Sequence, residues 1–224
     1  MGYNPLQVCQ NRQTFLMGKI TKKKLFSFAL PFIFLFELSH PTGLISPLPA
    51  NYSPTQEKIL AEHILPLNDR IESPTANEIF KENILLNIQY FGQEINLEPG
   101  ETFAFHDQLL PEYQSRAVKT GFTHFTSSEG FKAVGGLRGN GICHLASLMN
   151  WTAQKAGLEV FAPSRHDFFP INDIPKEYGT SIYYYPSGGW RTLNQNLYIT
   201  NNFNHPVKFV FEVNGDLIKL KIIR

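Results

Sequence analysis

The sequence predicts an α+β domain in which an antiparallel sheet packs on a central helix carrying Cys143, with additional helices on its N-terminal side. Three observations lead there. The glycine-rich stretch GGLRGNG runs directly into ICHLASLMNWTAQKAG, where Ile142, Leu145, Ala146, Met149, Ala153 and Ala156 recur on one face and Gly157 supplies a stop. From residue 180 onward the chain carries alternating strand patterns, closing with PVKFVFEV and LIKLKII around the turn signal Asn214-Gly215. Finally, 19 Phe and 9 Tyr among 224 residues, at 42% hydrophobic and 17% charged, give ample apolar material for an ordered core.

Taken in order, Ser53-Pro54-Thr55 ahead of QEKILAEHIL reads as a capped helix with Pro in its first turn. Pro66 and Pro74 bracket a link to a second helix, from Thr75 or Ala76 to about Tyr90, in which Ile79, Phe80, Ile84, Ile88 and Phe91 recur at helical spacing. Pro99-Gly100 marks a turn, and ETFAF after it reads as a strand. Phe122–Thr126 and Phe131–Val134, separated by SSEG, read as a β-hairpin. LEVFA, SIYYY and LNQNLYIT complete the expected strands.

Residues 1–50 are set apart as a leader. Lys19, Lys22, Lys23 and Lys24 precede the apolar run Leu25–Leu38, and a Pro/Ser-rich exit ends near Ala50. The run is short for a transmembrane helix, which needs about 20 residues. It reads as a secretory signal peptide or, left uncleaved, as an N-terminal membrane anchor. Residues 51–224 are then a single domain in an exported compartment, extracellular or periplasmic, touching the membrane only through that segment. Of the 20 basic and 19 acidic residues, five basic and one acidic lie in the leader, leaving 15 against 18 in the body. A body of net charge −3 speaks against nucleic acid as a partner, because a basic face supplies most of such affinity. Cys9 falls in the leader, so the body holds one cysteine and no intramolecular disulfide.

That cysteine is the leading catalytic candidate. Cys143 opens the central helix behind the glycine loop, where free N–H groups and the positive dipole end favour a thiolate. On the helical wheel it leaves the apolar face and aligns with Ser147, Asn150 and Gln154. Gly139, Asn140 and Gly141 leave room for a substrate backbone and an oxyanion site, and Arg138 could hold a substrate carboxylate. Of the seven histidines, His166 has a geometric argument. The helix is about 22 Å long, and a return strand at about 3.3 Å per residue brings Ser164–His166 level with its start. His124 and His106 are weaker candidates for the base, and His144 projects about 100° from its neighbour Cys143. Asn196 is the candidate orienting group. No second cysteine and no histidine pair has metal-ligand spacing, so neither a metal nor a cofactor is expected.

Over residues 85–213 these motifs resemble the VanW family, named for a protein associated with glycopeptide-resistance clusters. The resemblance is carried by Pro99-Gly100-Glu101-Thr102-Phe103-Ala104-Phe105-His106, by Gly121-Phe122, and by the run from Gly139 through Cys143 to Ser147. It continues through Ala156-Gly157-Leu158-Glu159, Arg165-His166, Asn196-Leu197-Tyr198-Ile199 and Pro206-Val207-Lys208-Phe209. Cys-then-His order on a helix against an antiparallel sheet also looks like NlpC-type and transglutaminase-like thiol enzymes, and unlike YkuD-type transpeptidases. The resemblance implies a cell-envelope protein. The leading reading is a Cys/His acyl-transfer enzyme (amidase, peptidase or transpeptidase) acting on peptidoglycan peptides, with a cell-wall peptide or glycopeptide as substrate. The chain departs from the family pattern: His144 stands for the usual Gln, Phe168 and Phe169 occupy the place of a second histidine, and Asn196 stands for a closing Asp. These departures imply the alternative, a non-catalytic peptidoglycan-binding module with a degenerate site, which would use Phe168, Phe169, Tyr183–Tyr185 and Trp190.

Overall fold

Strands β9 (Val207–Asn214) and β10 (Leu217–Ile223) form the hairpin that the alternation predicts, and they anchor the first sheet. Val207, Phe209 and Phe211 of one strand and Ile218, Leu220 and Ile222 of the other are buried, while Glu212 and Lys221 pair on the outer face. Each such side chain contributes roughly 1.5–3 kcal/mol relative to exposure. The computed structural model describes residues 57–135 and 137–224, so the leader, Cys9 and the predicted cap at Ser53 lie outside the described residues.

The segment read as a first helix is instead strand β1 (Ile59–Pro66), antiparallel to β10. Eight residues are too few for periodicity to separate helix from strand. The free edge of β10 decides: it offers backbone partners from Ile59↔Ile223 to Pro66↔Leu217, and a helix would leave that edge unpaired. Leu65 is buried and Ile64 is exposed, as a two-residue period requires. With β2 (Glu94–Leu97) on the other side, the sheet order is β1-β10-β9-β2, antiparallel throughout.

Helix α1 (Pro74–Phe91) follows its prediction closely. Ser73 caps it by accepting from the Ala76 N–H, Pro74 opens it, and Gly92 ends it in the left-handed region. The central helix α2 (Ile142–Ala156) packs across β1 and β10 and touches α1. A second sheet, in the order β4-β3-β8-β7, comprises β3 (Thr102–Ala104), β4 (Val118–Thr120), β7 (Glu159–Phe161) and β8 (Tyr198–Thr200). It is mixed rather than antiparallel, because β4 runs parallel to β3.

Two expected strand regions fold otherwise. Phe122–Thr126 forms no strand, since the Glu129 carboxylate takes the N–H groups of His124 and Thr126 and winds Ser127–Glu129 into a 3-10 turn. The hairpin forms one step later, between β5 (Ala133–Val134) and β6 (Leu137–Arg138). Ser181–Tyr185 is extended but joins no ladder, and LNQN begins in the short helix α3 (Trp190–Asn194).

The strand assignment of Ile59–Pro66 is checked by two adjacent truncations. Leu65→Ala should cost about 2–4 kcal/mol in urea unfolding, and Ile64→Ala less than about 1 kcal/mol. Equal losses at the two positions would contradict the strand.

Candidate functional site

Helix α2 is buried along most of its length, including Ser147 and Asn150 of the polar stripe that the helical wheel sets apart, while Gln154 and Lys155 near its end are exposed. What covers the stripe is the chain itself. Thr180 donates its N–H to Ser147 Oγ at 2.8 Å, and the Ser147 hydroxyl donates in turn to the Cys143 carbonyl at 2.7 Å. Asn150 Nδ2 donates to the Tyr178 carbonyl and to Thr180 Oγ1, each at 3.0 Å, and Gln154 braces Asn150 from the next turn. The spacing suits this. Residues 143 to 150 rise about 10 Å along a helix, close to the roughly 13 Å that four extended residues span. Ser164 and Arg165 pair with Ser181 and Thr180 on the far side of the segment.

Cys143 is the last member of this latch. The Ile182 N–H donates to Sγ at 3.4 Å, and the thiol donates to the Ile182 carbonyl at 3.6 Å. Burial pushes the thiol pKa up, against the smaller opposing pull of the Ile182 N–H. The expected thiolate at a helix N-terminus is therefore corrected to a neutral thiol that serves as donor and acceptor. Among the described residues no hydrogen bond joins it to a histidine.

His166 does return to the start of α2, as the strand arithmetic requires, but its neighbour there is His144. The two rings meet edge to face with centroids 6.2 Å apart, Phe168 lies 4.2 Å from the His166 ring, and His166 Nδ1 donates to the Phe169 carbonyl at 3.0 Å. Burial lowers the His166 pKa and, with Arg70 and His166 nearby, drives that of His144 down to about 3. Both rings are neutral, so the imidazolium expected to support a thiolate is absent.

Asn196 serves a different histidine. It is fully buried, accepts from the His106 N–H at 3.2 Å, and donates to the His106 carbonyl at 3.0 Å. His106 is a satisfied core residue: Nε2 donates to the Gln195 carbonyl at 2.9 Å, Nδ1 faces the Asn196 amide, and burial lowers its pKa to about 4. His124 is half-buried, stacked on Tyr184 at 4.3 Å and paired with Asp107 and Glu129. Residues 138–141 are a packing device as much as a loop. Asn140 Oδ1 accepts from the Val134 N–H across the β5–β6 turn, and Arg138 lies in β6. Gly141 has φ +94°, and a Cβ there would stand 2.7 Å from the Phe80 carbonyl, so α1 and α2 can meet only over glycine. Gly139, at φ +68°, is closed in by Phe125.

Two positioning residues escape the sequence reading. Asn83, fully buried in α1, holds Lys132 through both its N–H and carbonyl and also donates to the Asn140 carbonyl. Arg70 is buried, pairs with Asp173, and donates to the Asn172 carbonyl, tying the link ahead of α1 to residues 172–173. A signal for Asn83 exists, since Asn83 and Asn87 sit one turn apart beside the core residues Ile84 and Ile88. Nothing near Arg70 marks it. No three His, Cys, Asp or Glu side chains converge as a metal site among the described residues.

Fold and site together define an α+β domain whose glycine-loop helix carries a cysteine latched to the backbone. The family model described as VanW like protein matches residues 80–223, well over half the chain, and the protein belongs to the VanW family, which is related to the cell envelope. Comparison with curated proteins and with solved structures returned no match in either case.

The latch makes a contrast measurable. Cys143→Ala leaves the Ile182 N–H and carbonyl without partners and should cost about 1–3 kcal/mol in thermal or urea unfolding, with Cys143→Ser retaining most of it. Because folding raises the thiol pKa, the folded state holds its proton longer. That contribution is full below the unfolded value of about 8.5 and is lost as pH rises through the folded value. Wild type should therefore lose stability above pH ~8.5 relative to Cys143→Ser, and iodoacetamide should label the folded thiol only at higher pH than a free cysteine.

Proposed function

We propose that this domain is a non-catalytic binding module of the cell envelope, holding peptidoglycan through exposed aromatic side chains. The observation that carries this is the state of Cys143, neutral and bonded in both directions to Ile182. A nucleophile needs a base within hydrogen-bond reach, and the thiol has a peptide group there instead. The surface supports the same reading. Phe168 is 73% exposed, Phe169 65% and Trp190 68%, and Tyr183 and Tyr185 are also exposed. These residues lie on the two segments joined by the Arg165–Thr180 bridge and on α3, which follows them. Aromatic faces of this kind stack on the apolar faces of sugar rings, and large apolar side chains left in water mark binding surfaces. The lysine cluster and apolar run of the leader support export, with the domain outside the cytoplasm.

The acyl-transfer reading keeps one observation in its favour, the place of Cys143 in the first turn of α2. Co-sedimentation with purified peptidoglycan sacculi separates the two. Wild type and Cys143→Ser should pellet alike, while Trp190→Ala combined with Phe168→Ala should bind at least about tenfold more weakly, the loss of ~1.4 kcal/mol of stacking. Soluble peptides released by wild type and not by Cys143→Ser would overturn the module in favour of the enzyme. Aromatic variants that pellet like wild type would overturn the aromatic surface.

A further inference from the structure

We propose that His124 is a pH-responsive positioning residue for the aromatic surface. Once protonated, its ring holds Tyr184 more firmly and strengthens the grip on peptidoglycan below neutral pH. The inference rests on the binding reading of that surface and adds its regulation. Along the extended segment Ser181–Tyr185 successive side chains point to opposite faces. Ile182 is buried and Tyr184 half-buried, whereas Tyr183 and Tyr185 are exposed. Tyr184 is thus the inward anchor between two displayed tyrosines. Two histidines hold it: His106 meets the ring edge to face, with centroids 5.5 Å apart, and His124 stacks on it at 4.3 Å. The Gln108 side chain bonds to the Tyr184 hydroxyl and donates to the Pro186 carbonyl at 3.5 Å. Beyond the anchor, the Tyr185 carbonyl accepts from Thr192 Oγ1 at 3.0 Å, which links the segment to α3 and Trp190.

The two histidines differ in how they can carry charge. Burial lowers the His106 pKa to about 4, so that ring stays neutral above this pH. His124 is half-buried and sits between carboxylates: Nε2 is 3.3 Å from Asp107 Oδ2, and Nδ1 is 3.7 Å from Glu129 Oε1. Neither carboxylate has another cationic partner among the described residues. Against the upward pull of burial, the N–H groups of Thr126 and His124 lower the Glu129 pKa and keep it ionised. A neutral imidazole carries one N–H donor; a protonated one carries two and places a cation on the Tyr184 face. Charging therefore strengthens all three contacts together, and neutral His106 sets no like charge against it. The titratable and charged groups that face His124 are His106 and Asp107 after β3, Glu129 in the 3-10 turn, and Tyr184. The loop that carries the ring is itself pinned. Phe125 is buried at φ +56°, a left-handed conformation that bulky residues rarely adopt. It persists because the Glu129 carboxylate takes the N–H groups of His124 and Thr126 on either side. Phe125 thereby enters the core while His124 faces Tyr184. A contact strengthened by protonation is full at low pH and is lost as pH rises through the range where histidines discharge, about pH 5 to 8.

Co-sedimentation with purified sacculi at about pH 5.5 and about pH 7.5, at fixed ionic strength, brackets that range. The ring signals of His124 and Tyr184 are followed by NMR in the same protein without sacculi. Wild type should bind at least about threefold more tightly at the lower pH, within what one exposed ion pair supplies. His124→Gln should bind alike at the two pH values, and it also controls for titration of the sacculi themselves. Asp107→Asn, which removes one carboxylate and leaves the ring, should show a smaller difference than wild type. Without sacculi, the Tyr184 signals should follow the protonation of His124 in wild type and stay flat in His124→Gln. Wild type that pellets at neither pH would overturn the binding reading, and this regulation with it. Equal pelleting at both pH values, a His124→Gln protein that keeps the difference, or Tyr184 signals indifferent to His124 would each overturn the proposal and leave the binding reading standing.

Discussion

Burying the polar stripe of a helix leaves its side chains without water, and in this domain that constraint organises the rest. Ser147 and Asn150 of α2 are buried, and each is satisfied by the backbone or a hydroxyl of Tyr178–Thr180. The extended segment thereby gains fixed partners on one side, and Ser164 and Arg165 pair with it on the other. It carries no regular ladder of its own. Its position, and that of His166 and the exposed tyrosines that follow, comes from a helix reading out a strand.

The same constraint decides the chemistry of Cys143. A helix N-terminus favours a thiolate by typically 0.3–1 kcal/mol, up to about 2 in partly buried geometries. Desolvation acts the other way and can reach several pKa units, at about 1.4 kcal/mol each. With a peptide group filling the thiol's donor and acceptor roles, burial wins and the sulfur behaves as a third latch residue beside Ser147 and Asn150. A polar stripe on a helix is compatible with an open cleft or with a covering segment. The difference between a reactive and an inert thiol lies in which of the two is present.

Histidines follow a parallel logic. His63, His106, His144 and His166 all have lowered pKa values with burial as the largest cause. His106 is fully served by Asn196 and Gln195, and His63 stacks on Trp151 while facing Thr152. His144 differs, since its Nδ1 is buried without a hydrogen-bond partner. The chain's membership of the VanW family places it among proteins related to the cell envelope.

Local sequence determined the elements whose signals are redundant. Helix α1 has its cap, opening proline and closing glycine, α2 has a glycine on each side and a continuous apolar face, and the β9–β10 hairpin has alternation and a turn. Each of these signals lies within the element or at its ends, so it reads without knowledge of the packing partners. It also showed that Cys143 leaves the apolar face and that Ser164–His166 returns to the start of α2. Tertiary structure decided the remainder. Ile59–Pro66 is a strand because β10, more than 150 residues away, presents an unpaired edge. Asn196 holds His106 rather than His166 because β8 lies beside β3, a pairing that no local period encodes. The rings of His144 and His166 meet because a buried side chain's neighbours are set by packing between distant segments, whereas its own period along the chain fixes only the direction in which it points.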